Sequence, residues 1–185
     1  MEVPHSVCRD GRYLAYRRTQ AASTTGSIWI LPLSGERKPF GLVESPFQNL
    51  DPMFSPDCKW VSYTSNETGQ NEIYVTQFPG GGRRYQVSKQ GGQSAHWRSD
   101  GKELFYFSMP QNSMMAVSVE ERREEVTLGA ERELFHLANP NTFPLGSMFD
   151  VTADGQRFLI SEASSPVGGV PLKLVVNWDA GLEKK

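Results

Sequence analysis

The chain has 185 residues, of which 38% are hydrophobic and 11% aromatic, enough for a folded core and too many for a disordered chain. Lys and Arg number 19 against 21 Asp and Glu, which gives a formal charge of -2 and a pI near 5.9. This balance excludes the basic surface of a nucleic-acid-binding protein, and no apolar run approaches the ~20 residues of a membrane span, so we expect neither partner.

Four segments, taken in chain order, repeat one pattern. Each has an apolar residue, two further residues, an aspartate, usually a glycine, and then an alternating strand; the aspartates are Asp10, Asp57, Asp100 and Asp154. The aspartate–glycine pair is typical of a tight turn, because the carboxylate accepts nearby backbone N–H groups and glycine adopts positive φ without steric cost. We assign these aspartates a structural role. Cys58 replaces glycine in the second repeat, which predicts a turn of another type or a mildly strained one.

The residues after each aspartate predict strands. Apolar and polar side chains alternate there with the period of two that a strand produces, at 12–17, 59–64, 102–107 and 156–161. The second repeat contains a full set of four strands, at 51–55, 59–65, 72–77 and 85–88. The last repeat contains three, at 149–152, 156–162 and 172–178. Since no long stretch has a helical period, the chain is predicted to be all-β.

The spacing of the repeats indicates the architecture. The aspartates are 47, 43 and 54 residues apart, and a four-stranded propeller blade takes about 40–50 residues. We therefore predict a β-propeller of four-stranded antiparallel blades, with about four blades present as part of a larger propeller. The longest interval leaves room for an insertion, expected at Glu120–Glu125 as a solvated loop. The blades are placed approximately at 1–50, 51–93, 94–147 and 148–185.

Four residues near the turns carry further expectations. Phe54 and Trp97 precede equivalent turns and are expected to wedge between neighbouring blades. Cys8 and Cys58 are too few for a disulfide scaffold and lack the spacing of a zinc site. Two free thiols are therefore expected, and a bridge between them is the alternative that the sequence leaves open.

The axial channel is the candidate binding site. Innermost strands line the channel of a propeller, and a mixed polar funnel there suits a peptide tail or a small ligand. The residues just before the turns are therefore the candidate ligand-binding residues: Met53, His96, Arg98 and Asp150.

No pattern of catalytic, metal-binding or cofactor-binding residues accompanies the repeats. Gly92–His96 lacks the final glycine of a hydrolase nucleophile elbow. The turn of the fourth repeat begins like a calcium loop, but its twelfth position is Ser161. His5 and His96 lie in innermost strands, and a metal site built by them is a minor alternative. We expect no catalytic residue, no cofactor and no metal.

The repeats resemble a known family. Phe54-Ser55-Pro56-Asp57 is similar to the Trp-Ser-Pro-Asp-Gly signature of TolB-like, WD-like propeller repeats, and the similarity continues through 71–119 and 149–178. The chain resembles the C-terminal propeller of bacterial multidomain proteins, which often follows a kinase or a winged-helix regulator domain. The resemblance is specific for the fold and weak for function, because propellers serve many functions.

The resemblance and the lack of catalytic motifs together favour a non-enzymatic binding or sensor module for a protein, a peptide or a small ligand. The alternatives are the gating propeller of a prolyl-oligopeptidase-type peptidase and a TolB-like periplasmic scaffold, and the resemblance implies an extracytoplasmic location. Four blades are the lower limit for ring closure. We therefore also expect a homodimer that forms through open propeller ends.

Overall fold

The computed structural model describes residues 1–19, 25–80, 82–123, 125–137, 149–161 and 172–176, with the backbone alone for 161 and 172–176. All sixteen elements in this part of the chain are β-strands, and they form four antiparallel sheets that follow one another in sequence. Blade 1 contains β1 (Glu2–Val7), β2 (Tyr13–Thr19), β3 (Gly26–Pro32) and β4 (Phe40–Val43). Blade 2 contains β5 (Asn49–Phe54), β6 (Trp60–Ser65), β7 (Glu72–Gln77) and β8 (Arg84–Gln86). Blade 3 contains β9 (Gln93–Trp97), β10 (Glu103–Ser108), β11 (Ser113–Arg122), β12 (Glu125–Leu128) and β13 (Arg132–His136). Blade 4 contains β14 (Phe149–Val151), β15 (Arg157–Ser161) and β16 (Leu172–Val176).

Consecutive strands are hydrogen-bonded neighbours in blades 1, 2 and 4, so each of these sheets is a simple meander. Blade 3 departs from this order, because β11 pairs with β10 on one side and with both β12 and β13 along the other. The predicted all-β fold with antiparallel blades is confirmed.

One turn recurs in all four blades, between the first strand and the second. The aspartate accepts the N–H of the residue two positions later in every case, at 2.9 to 3.2 Å. The residue after the aspartate has φ between +59° and +75°, and its N–H is donated to the carbonyl three residues earlier. Cys58, with φ of +59°, adopts the same conformation as the glycines, so the expectation of another turn type was wrong. The left-handed conformation costs a residue with a Cβ about 1–2 kcal/mol. The turn at Cys58 is therefore mildly strained, which was the other outcome that the sequence predicted.

The same turn has different surroundings in different blades. A Cβ placed on Gly11 would meet no atom within 4 Å. A Cβ on Gly155 would lie 2.9 Å from Phe105 Cζ and 3.0 Å from Arg98 Cδ, because this turn presses on blade 3. Gly155 is therefore required by packing as well as by φ.

The second strand of each blade packs on the neighbouring blades that the structure describes. Four residues after the aspartate, a side chain packs toward the preceding blade: Val61 against Ala15, Leu104 against Ile73, and Phe158 against Phe105. The side chains six residues after the aspartate also pack toward the preceding blade; these are Tyr63, Tyr106 and Ile160. Those at the intervening position, Ala15 and Phe105, pack toward the following blade. The core is thus a series of seams between blades.

The two aromatic residues before the turns are buried to different degrees. Phe54 is 6% exposed and meets Phe78 edge to face at 5.1 Å in the seam between blades 1 and 2. Trp97 is half-buried beside the seam between blades 2 and 3, and its Nε1–H is donated to the carbonyl of Met53 at 3.3 Å.

Cys8 and Cys58 form a disulfide, so the expectation of free thiols was wrong. Each cysteine belongs to the turn of its own blade, and the Cα atoms are 5.6 Å apart. Packing of blade 1 on blade 2 brings equivalent turns side by side, which spacing along the chain does not reveal. The bridge ties these two blades covalently.

The Glu120–Glu125 segment is not a loop. Strand β11 continues to Arg122 and pairs with β12, with a turn that begins at Arg123. Val119 and Val126 are buried, 5% and 6% exposed, because they pack on the core between blades 2 and 3 while the charged residues point outward. This hairpin arm, residues 119–128, is the insertion that the long interval indicated.

Replacing both cysteines with serine should lower the free energy of unfolding by about 4 kcal/mol, because the bridge closes a loop with a sequence separation of 50. The matched variant with Cys8→Ser and Cys58→Gly should be about 1 kcal/mol more stable than the double serine variant, since glycine accepts positive φ. Denaturant titration measures both differences. Equal stability of the two variants would show that Cys58 is unstrained, and a reductant without effect on the wild type would contradict the bridge.

Candidate ligand-binding recess

The first strand of every blade contributes residues to one recess of about 250 Å³, and the turns after β1 and β5 contribute more. Blade 1 supplies Val7 and Arg9, blade 2 supplies residues 53–56, blade 3 supplies His96 and Trp97, and blade 4 supplies Asp150 and Val151. Because residues of all four blades line it, this central recess marks the place where their inner edges converge. Its floor is largely apolar, with charged groups from blades 1 and 4.

The recess contains three of the four candidate residues. Met53, His96 and Asp150 line it together. Arg98 does not, because its guanidinium is held by Asp100 at 2.8 Å and by Glu103 at 2.9 Å. The cation that lines the recess is Arg9, which forms no ion pair with any described residue. Arg9 directly precedes a turn aspartate, and that position could have been examined in every repeat.

A row of polar contacts lies along the first strands and joins all four blades. His5 Nδ1 of blade 1 is 3.8 Å from Asp51 Oδ1 of blade 2, and the Ser94 hydroxyl of blade 3 is donated to Asp51 at 3.3 Å. His96 Nδ1 of blade 3 is 4.0 Å from Asp150 Oδ1 of blade 4. Sequence reasoning did not identify Asp51.

The backbone is irregular along this row. Asp51 and Ser94, each six residues before a turn aspartate, have φ of +50° and +55°. Pairing registers shift at the same level of the first strands, between Pro4 and Ser6, and between Leu50 and Met53. Bulges and left-handed residues are costly, and they concentrate at functional sites, where they re-aim side chains.

Burial determines the charge of both histidines. Burial lowers the pKa of His5 from its usual value; Asp51 opposes this effect and Arg17 adds to it. Burial also lowers the pKa of His96, against opposing effects from Asp150 and Asp51. Both imidazoles are therefore neutral at pH 7.

A second, larger cleft adjoins the recess, with a volume of about 430 Å³. Arg9, residues 55–56 and Trp97 line both spaces, so the cleft and the recess lie side by side. The hairpin arm forms the far wall through Val119 and Val126, and the ion pair between Lys59 and Glu121, at 2.9 Å, fastens it to blade 2.

One cluster imitates a catalytic triad without its geometry. The Ser113 oxygen is 3.0 Å from His136 Nδ1, and Glu133 Oε1 is 3.9 Å from the same nitrogen. A triad requires the acid and the nucleophile on opposite ring nitrogens. Ser113 is also 1% exposed, and its hydroxyl lies 3.0 Å from the carbonyl of Gln111, so no substrate reaches it.

Metal-binding groups converge at one place among the described residues. Cys8, Asp10 and Cys58 offer ligand atoms within 4.8 Å of one another. The two sulfurs are joined to each other, so neither is a thiolate ligand. Each histidine lies beside a different carboxylate: His5 beside Asp51, His96 beside Asp150 and His136 beside Glu133.

Among the described residues, no helix is long and apolar enough to cross a membrane.

No protein-family model matches the sequence, and no curated protein is significantly similar to it in sequence. Solved structures share the β-propeller fold. A putative TolB from Agrobacterium tumefaciens has a TM-score of 0.60 and 18% identity, over 73% of this chain and 49% of that one. TolB from Acinetobacter baumannii has a TM-score of 0.66 and 16% identity, over 95% and 40%. A puromycin-hydrolyzing peptidase from Mycobacterium tuberculosis has a TM-score of 0.63 and 12% identity, over 96% and 28%.

These similarities are all far below 25% identity, and they show the fold alone. The chain consists of propeller blades similar to those of TolB. It spans half or less of the length of each of these structures.

The two inner histidines predict a pH dependence of stability. Because their folded pKa is below the unfolded value of 6.5, the folded chain binds fewer protons, and stability is lost as pH falls from 6.5 through the folded pKa. The slope is at most about 1.4 kcal/mol per pH unit for each histidine. Denaturant titrations at several pH values should show this loss. The variant with His5→Gln and His96→Gln should lack it, and the exposed His136→Gln control should retain it; the same slope in all three would refute the assignment.

Proposed function

We propose that this chain is a non-catalytic binding module whose central recess holds a small ligand or a short peptide. The observation that carries the proposal is the convergence of four blades on one recess with an apolar floor, beside a row of polar contacts and two left-handed residues. Such irregular backbone concentrates where function requires it. The cluster of Ser113, His136 and Glu133 lacks catalytic geometry, which supports binding rather than hydrolysis.

The test is ligand-observed NMR with a pool of short peptides and small metabolites. Met53→Ala should weaken any binding at the recess, because it removes part of the apolar floor. Phe47→Ala is the control, since Phe47 is an exposed aromatic residue, 39% exposed, outside the recess. Binding that Met53→Ala leaves unchanged would place the ligand elsewhere. Turnover of a peptide by the chain alone would favour a hydrolase instead, and capture of envelope proteins without small ligands would favour the scaffold alternative.

The disulfide supports an extracytoplasmic location for the module. Disulfides persist in oxidising compartments and are rare in the cytosol. Cys8 is 1% exposed, so the bridge has a structural position in a seam rather than an accessible one.

We also propose that the chain self-associates head to tail. Leu14 and Tyr16 occupy the offsets at which Val61 and Tyr63 pack on the preceding blade. No described blade covers this face of blade 1, which holds a depression of about 200 Å³. Leu159 of blade 4, at the offset that packs toward a following blade, is 39% exposed. The two faces differ, so a second copy can satisfy both only through a heterologous contact that closes a ring.

Light scattering at high micromolar concentration should therefore give a mass above that of the monomer. Leu159→Glu should restore the monomer, because it places a charge in the contact. Phe47→Glu, which adds the same charge to an exposed aromatic site away from both faces, should leave the association intact. A monomeric wild type would overturn self-association.

A further inference from the structure

The lining of the central recess includes charges of both signs. Arg9 comes from blade 1 and Asp150 from blade 4, the first and last blades of the row. Met53 and Trp97, from blades 2 and 3, supply apolar surface to the same recess. The recess thus combines one cation, one anion and an apolar floor.

Both charges are available to a ligand. The guanidinium of Arg9 forms no ion pair with a described residue, unlike Arg98, which is held on two sides. Asp150 is 78% exposed, and its nearest basic group is the neutral imidazole of His96 at 4.0 Å. One carboxylate oxygen accepts the N–H of Val151 at 2.8 Å, which fixes the carboxylate without neutralising it.

We propose that the recess binds a zwitterionic ligand with an apolar side chain, that is, a free apolar amino acid or a short apolar peptide with both termini free. Arg9 would bind the carboxylate with its forked donors, Asp150 the ammonium group, and the apolar floor the side chain. An anion would meet Asp150 and a cation would meet Arg9, so a ligand with both charges complements the site best. The proposal rests on the proposed function of the recess.

The size of the recess limits the ligand. Its volume of about 250 Å³ is below the ~300–1,000 Å³ of sites that enclose drug-sized molecules. The adjoining cleft, of about 430 Å³, leaves room for a second residue of a peptide. Free leucine and the dipeptide Leu-Leu are therefore the two probes that separate an amino-acid ligand from a peptide ligand.

Isothermal titration calorimetry with leucine, Leu-Leu, N-acetyl-Leu-Leu and Leu-Leu amide is the test. Blocking either terminus should weaken binding about tenfold or more, the value of a hydrogen bond to a charged group. Tighter binding of Leu-Leu than of leucine would identify the peptide, and the reverse order would identify the amino acid.

Crossing ligands with variants assigns each terminus to its residue. Arg9→Gln should bind Leu-Leu and its amide equally while still rejecting the acetylated form. Asp150→Asn should bind Leu-Leu and the acetylated form equally while still rejecting the amide. Lys38→Gln and Glu36→Gln, which change exposed charges outside the recess, should behave as the wild type. Circular dichroism and thermal unfolding verify that each variant is folded.

The outcomes distinguish this inference from the proposed function. Equal binding of blocked and free dipeptides by the wild type, lost in Met53→Ala, would overturn the zwitterion and keep the recess as a binding site. No binding of any of the four probes, with another ligand from the pool bound at the recess, would do the same. A pool without any ligand for the recess would overturn both.

Discussion

The structure depends on the need of each second strand to bury both of its faces. A single antiparallel sheet of four strands cannot shield its apolar side chains, so a blade is stable only between neighbours. Strands β6 and β10 satisfy this need by alternation, with residues at even offsets from the aspartate packed on the preceding blade and those at odd offsets directed toward the following one. Phe105 and Phe158 meet edge to face at 5.2 Å for this reason. On β15 only the even offsets are covered, and Leu159 at the odd offset is 39% exposed.

The first strands are under a different constraint. Their free edges converge on the centre, where the apolar packing of the seams ends, and their polar residues contact one another instead of a core. This arrangement permits bulges and left-handed residues such as Asp51 and Ser94, which a buried second strand could not accommodate. A rigid outer framework and a less regular inner edge are the combination on which a binding site can be built.

The sequence predicted what depends on local chemistry and period. The aspartate turns and the strands beside them follow from hydrogen bonding and alternation within a few residues, and the observed bounds of the predicted strands lie within two residues of the predicted ones. The disulfide and the hairpin arm depended on the packing of neighbouring blades, which no single repeat contains. For Arg98 the signal was local, since Asp100 and Glu103 lie within five residues and hold its charge away from the recess.

The contrast between Gly11 and Gly155 affects how such a chain can vary. Both follow an aspartate and have nearly the same φ, +73° and +75°. Space surrounds the first, and the second touches the ring of Phe105. Cys58 shows that a side chain is accepted at this position when a neighbouring turn leaves room for it. Equivalent positions of the repeat therefore tolerate different substitutions. A consensus sequence averaged over the four blades would not reveal that Gly155 is required by its contact with blade 3.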